Sequence, residues 1–128
     1  MGTPALIHLD DPDRGATEFL RVHYDGDLHT RDALNTLIAR DGYPTVRRTL
    51  IGQVSRFWVG LDPQIEDIPD YVASYPTAWS VAAVPGYGLV FTGQEEITAS
   101  TDASAFDPGT WWGVQWRVSP AGRVSSRS

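Results

Sequence analysis

With 128 residues, 41% hydrophobic content and 20% charged content, the chain has the make-up of one soluble globular domain. All ten basic residues are arginine and there is no cysteine, which excludes lysine Schiff-base chemistry, a Walker-type phosphate loop, thiol nucleophiles, disulfides and thiolate zinc sites. A net charge of −6 argues against nucleic acid as a partner. There is no apolar run long enough to span a membrane and no basic n-region at the start, so a cytoplasmic protein is expected.

In chain order, Ala5 to Asp10 and Thr17 to Tyr24 read as strands, separated by the loop chemistry of Asp11-Pro12-Asp13-Arg14-Gly15. As a hairpin they place Ala5 opposite Val22 and Ile7 opposite Leu20 on an apolar face. Leu6, His8, Phe19, Arg21 and His23 take the other face, which is expected to be half exposed. Asp25-Gly26 signals a turn. Thr30 is a suitable N-cap for a helix over about 30–41, with Leu34, Leu37 and Ile38 as its buried stripe. Gly42 suits the helix C-terminus, and Pro44 opens a second helix over about 44–54 that buries Val46, Leu50 and Val54.

Leu61 to Pro76 reads as an irregular, acidic loop. Trp79 to Val84 and Leu89 to Thr92 read as strands about a Pro85-Gly86-Tyr87-Gly88 turn, and Glu95 to Ala99 as a further short strand. After the Asp107-Pro108-Gly109 turn, Thr110 to Val118 alternates cleanly. Trp112, Val114, Trp116 and Val118 face the core, and Trp111, Gln115 and Arg117 face away from it. Pro120-Ala121-Gly122 leads to a last short strand near 123–125. Together these predict a single α+β domain over residues 1–128, with five or six mainly antiparallel strands and two helices packed on one face.

Charge is unevenly placed. Residues 57–116 hold every tryptophan and eight acids but no base, whereas residues 1–56 hold all three histidines and seven arginines against eight acids. Candidate chemistry therefore lies in the first half, and the second offers aromatic and acidic surface.

The opening Met1-Gly-Thr-Pro-Ala-Leu-Ile-His8, the Val22-His-Tyr-Asp-Gly26 segment and Pro85-Gly-Tyr-Gly88 resemble small uncharacterised proteins of actinobacteria and their phages. Those open Met-Gly-Thr-Arg-Ala-Leu-Ile and carry Tyr-Asp-Gly-Tyr-Pro after the second strand. Pro4 here replaces the arginine, and Asp27-Leu28 replaces the Tyr-Pro pair. The resemblance implies a phage or mobile-element origin and no catalytic residues.

His23-Tyr-Asp25-Gly-Asp27-Leu-His29 is the densest polar stretch. In an extended strand its outer members lie on the order of 20 Å apart, too far to share one ion, so no metal or other cofactor is expected. His8, Arg21, His23, Asp25, Asp27, His29 and Arg31 are candidate ligand-binding residues, for a small molecule or a nucleotide phosphate near a helix N-terminus. Trp111, Arg117, Tyr87, Glu66, Asp67 and Asp70 are candidate interface residues, because exposed aromatics beside charge are typical of interfaces. The leading expectation is a non-enzymatic module that binds a host protein, in an anti-defence setting. A small-molecule protein built on the first cluster is the alternative, and a homo-oligomeric structural subunit joined at sheet edges is the third reading.

Overall fold

The structure is a computed structural model that describes residues 3–73, 80–93, 97, 109, 111 and 113–126. Strands β1 (Ala5–Asp10) and β2 (Thr17–Val22) are followed by helices α1 (Leu28–Asp41) and α2 (Tyr43–Ile51). Strand β3 (Phe57–Leu61), the one-turn helix α3 (Asp70–Ala73), and strands β4 (Val81–Val84), β5 (Gly88–Phe91), β6 (Val114–Val118) and β7 (Val124–Ser126) complete the order.

The α+β class stands, but the sheet is larger and more mixed than expected. Among the described residues seven strands lie in the order β4-β5-β3-β2-β1-β6-β7. Strand β1 pairs antiparallel with β2 in the expected register, Ala5 opposite Val22 and Ile7 opposite Leu20. Strand β3 runs parallel to β2, and β6 runs parallel to β1. The parallel β2–β3 pair follows from its connection. Two helices carry the chain back across the sheet, so the next strand enters in the same direction. Phe57-Trp58-Val59-Gly60-Leu61 lacks the two-residue alternation of a half-solvated strand because both its faces are covered.

The helices lie on one face, as expected. Ala33, Leu34 and Leu37 of α1 and Tyr43, Val46 and Leu50 of α2 close over Ala5, Ile7, Leu20, Val22, Trp58, Val90, Trp116 and Val118. Trp58 and Leu61 both reach this core although three residues apart, since the ladder shifts register between Trp58 and Gly60. The opposite face is graded: Leu6 and His8 are buried, Phe19 and Arg21 are partly buried, and His23 is exposed. Leu6 and Phe57 pack with Phe19, Phe91 and Trp111, while Val59, Ile65, Val72 and Leu89 form a further cluster under the 62–73 segment. All six residues of β1 are buried, His8 among them at 1% exposure.

Helix limits also differ. Helix α1 begins at Leu28 after Asp27, whose side chain makes no capping bond. Thr30 lies inside the first turn rather than at the cap, and its hydroxyl donates to the Asp25 carbonyl at 2.6 Å. Pro44 sits in the first turn of α2 as expected, but that helix stops at Ile51, before Gly52, and Val54 is exposed. The expected strand at 95–99 fails at Ile97, which is helical and whose N–H bonds the Gly93 carbonyl at 3.0 Å. Trp79 and Trp112, and the rest of 95–99, lie outside the described residues.

Candidate functional site

Strands β2 and β3, being parallel neighbours, end at the same edge of the sheet. Their ladder continues past β2, where the N–H groups of His23 and Tyr24 bond the carbonyls of Trp58 and Val59 at 2.8 and 2.9 Å. The chain then turns sharply at Asp25, which sits at φ 55°, in the left-handed region that Asp and Asn tolerate best among residues with a side chain. Gly26 is wedged against the start of β1, with its N–H on the Thr3 carbonyl at 2.7 Å and its carbonyl accepting the Trp116 indole N–H at 2.6 Å. These contacts set where α1 begins and bring His29 over the end of β3.

His29 Nε2 lies 2.8 Å from the Leu61 carbonyl. A carbonyl only accepts, so Nε2 carries the proton and Nδ1 is the acceptor of the neutral ring. Eleven residues further along the helix, Arg40 donates to the carbonyls of Pro63 at 2.9 Å and Gly86 at 3.0 Å. The 61–65 segment is thus held alongside α1 at both ends. Asp62 shapes it from within, its carboxylate accepting the Gln64 N–H at 2.9 Å.

Among the described residues, two cavities open at this edge. The larger, about 270 Å³, is lined by Tyr24, Asp25, His29, Val59, Gly60, Leu61, Asp62, Ile65, Pro69 and Leu89. The smaller, about 220 Å³, lies between α1 and the loop and is lined by His29, Asp32, Ala33, Thr36, Asp62, Pro63 and Gln64. His29 and Asp62 belong to both. The larger cavity has an apolar floor of buried Val59, Leu61, Ile65 and Leu89 and a polar mouth at Asp25, Asp62 and His29. Such a lining suits a ligand with a short apolar stem and a polar, preferably cationic, end.

The seven residues expected to converge are split. Asp25 and His29 share the larger cavity. Asp27 is exposed at the start of α1, and Arg31 is occupied by Asp32 at 3.0 Å. His8 lies in the interior of the sheet, bonding Gln115 Oε1 at 2.8 Å with its ring edge-on to Phe19. Arg21 stacks over Phe57 at 4.6 Å and Trp111 at 5.2 Å, and burial lowers its pKa from the ordinary guanidinium value. His23 sits edge-on to Tyr24 and Phe91, and partial burial together with the Arg21 charge lowers its pKa. A phosphate site made of His8, Arg21 and His23 is therefore not supported, since aromatic and amide neighbours occupy His8 and Arg21. Among the described residues no three His, Asp or Glu side chains are placed to hold a metal ion.

The interface candidates also separate. Glu66, Asp67 and Asp70 are exposed. Arg117 is half exposed and forks onto Asp10, with Nε and Nη2 at 3.0 and 2.9 Å from Oδ2. Trp111 is half buried against the sheet, its indole N–H on the Val114 carbonyl at 2.9 Å. Tyr87 is not surface at all, with its ring in the core and its hydroxyl donating to Asp41 at 2.6 Å. The cavity residues Tyr24, Gly60 and Ile65 were not among the candidates, and Asp62 counted only as one of the loop acids of 62–70 expected at an interface. The signal for Asp62 was its position directly after an apolar run that is a strand.

No family model, curated protein or solved structure matches this chain.

Proposed function

We propose that the chain is a non-enzymatic binding module that engages a protein partner through the acidic edge where β2 and β3 end. One observation carries this. The two loops leaving those strands, with the N-terminal half of α1 and the start of α3, present Asp25, Asp27, Asp32, Asp62, Glu66, Asp67 and Asp70 to solvent, beside the cavities described above. The base-free sequence of 57–116 gives the second loop no base of its own. A surface of one sign steers an oppositely charged partner and adds specificity, so the partner is expected to present a basic face. That the partner is a host protein and the chain a phage or mobile-element accessory rests on the sequence resemblance and belongs to the same proposal.

The test is capture from a bacterial lysate with the full chain and with a variant carrying Asp62→Asn, Glu66→Gln, Asp67→Asn and Asp70→Asn. A basic protein retained by the first, released by moderate salt and absent from the second supports the module. Equal retention by both chains, or retention of no protein, defeats it.

A second reading, a small-molecule protein, is favoured by the cavity that Asp25 and His29 share.

A further inference from the structure

Gly60 has no structural reason to be glycine. Its φ is not positive, so its backbone conformation is open to any L-residue. Chain neighbours aside, a Cβ placed there would meet only the Tyr24 carbonyl oxygen among the described residues, and at 3.8 Å. By contrast, a Cβ at Gly26 or Gly88 would fall within 2.5 Å of other atoms. Glycine inside a strand marks a bulge, a tight bend or the close approach of a ligand. The register shift beside Gly60 needs no left-handed residue, so the feature left unexplained is the space itself. Gly60 lines the larger cavity, and any longer side chain there would enter it.

We infer that this cavity is a binding site for an aliphatic cation, an alkylguanidinium or alkylammonium group. Its stem would lie across Gly60 and on Val59, Ile65 and Leu89, and its head would meet the carboxylates of Asp25 and Asp62 at the mouth. The apolar floor selects for the stem, since methylene groups leave water there. The two carboxylates select for positive charge and against a phosphate or carboxylate ligand. The same chemistry reaches the site as a free small amine or as an arginine or lysine side chain of a partner. The inference rests on the cavity and deepens the binding-module reading, because a partner's side chain seated here would anchor a basic face on the acidic edge.

The test is an amide NMR titration of the full chain with butylguanidinium, with n-butanol as the uncharged control and acetyl-Gly-Arg-Gly-amide as the side-chain probe. Saturable shifts at Tyr24, Asp25, His29, Gly60, Leu61 and Asp62 are expected with butylguanidinium and not with n-butanol. The double variant Asp25→Asn, Asp62→Asn should weaken binding by about tenfold or more, as loss of charge-assisted contacts does. It keeps the fold, because Asn tolerates the left-handed region and can still accept the Gln64 N–H. Gly60→Leu should abolish binding while leaving distant amides unshifted. If the peptide binds as tightly as butylguanidinium, the natural occupant is a partner's side chain, and if only the free compound binds, it is a small molecule. The inference is overturned if no shift saturates, if n-butanol reproduces the shifts, or if both variants bind as the wild type does. Protein capture lost on Glu66→Gln, Asp67→Asn and Asp70→Asn alone, in a variant that still binds butylguanidinium, supports the cavity and keeps the module. Butylguanidinium bound with no protein captured at all supports the cavity and removes the module alone.

Discussion

Two glycines at one edge of the sheet show how much a single residue's surroundings decide. Gly26 touches Ala5 and Thr3 so closely that Gly26→Ala must move backbone. Overpacking of that kind costs about 1–3 kcal/mol, measurable by urea denaturation. Gly60→Ala, which meets open space, should leave the unfolding free energy unchanged or raise it slightly by restricting the unfolded chain. Tyr43 is the third such residue. Its buried hydroxyl donates to the Asp10 carbonyl at 2.6 Å, tying α2 to β1, and burial raises its pKa. Tyr43→Phe should cost about 1–3 kcal/mol, because the carbonyl is left buried without its partner. Asp41 sets a pH limit. Arg40, and then the Tyr87 hydroxyl, hold its pKa at about 2 against an ordinary 3.8. The folded chain therefore binds fewer protons than the unfolded chain between those values. This contribution to stability is complete above pH 3.8 and is lost as pH falls through 2. In acid titrations followed by circular dichroism, Asp41→Asn should flatten that part of the stability curve.

At the scale of elements, what the sequence reveals depends on whether the responsible forces are local. The β1–β2 hairpin was legible down to its register, because alternation on both strands admits only one pairing that buries Ala5, Ile7, Leu20 and Val22 together. The α1 stripe and the proline that opens α2 were legible for the same reason. Strand β3 was not, since covering both faces erases the alternation that identifies a strand. Without β3, the parallel pair and the edge it creates could not be inferred, and Asp62 appeared to be one more loop acid. His8 and Tyr87 misled because polar tips say nothing about burial until their distant partners, Gln115 and Asp41, are known. The loop along α1 has its own test. Arg40→Ala removes the bonds to Pro63 and Gly86 and should hasten hydrogen exchange at the Gly86 amide, which is bonded to Ile65. The Val46 amide, inside α2, should exchange unchanged.

For the molecule as a whole, a sheet covered by two helices on one side and by loops and aromatics on the other leaves Asp25, His29 and Asp62 beside a cavity where β2 and β3 end. Ligands in sheets with parallel strands commonly gather at their carboxyl ends, and the cavity lies at the carboxyl ends of β2 and β3. Binding there by a cation should weaken with ionic strength, but less than binding to the outer acids of 66–70, since a half-enclosed pair of charges is screened less than an exposed one. Comparing the salt dependence of butylguanidinium and partner binding separates the two.

The pairing of β1 with β6 carries a further consequence, for the birth of the chain. His8 and its partner Gln115 stand 107 residues apart, and β1 lies between β2 and β6 with all six residues buried. During synthesis β1 and β2 can meet at once, yet the other side of β1 has no neighbour until β6 has left the ribosome. This fully buried strand therefore waits with an open edge while the residues up to Val114 are made, a state prone to misassociation. Nascent chains arrested before Val114 should remain protease-sensitive and bound to chaperones, and protection should arise abruptly once Val118 emerges.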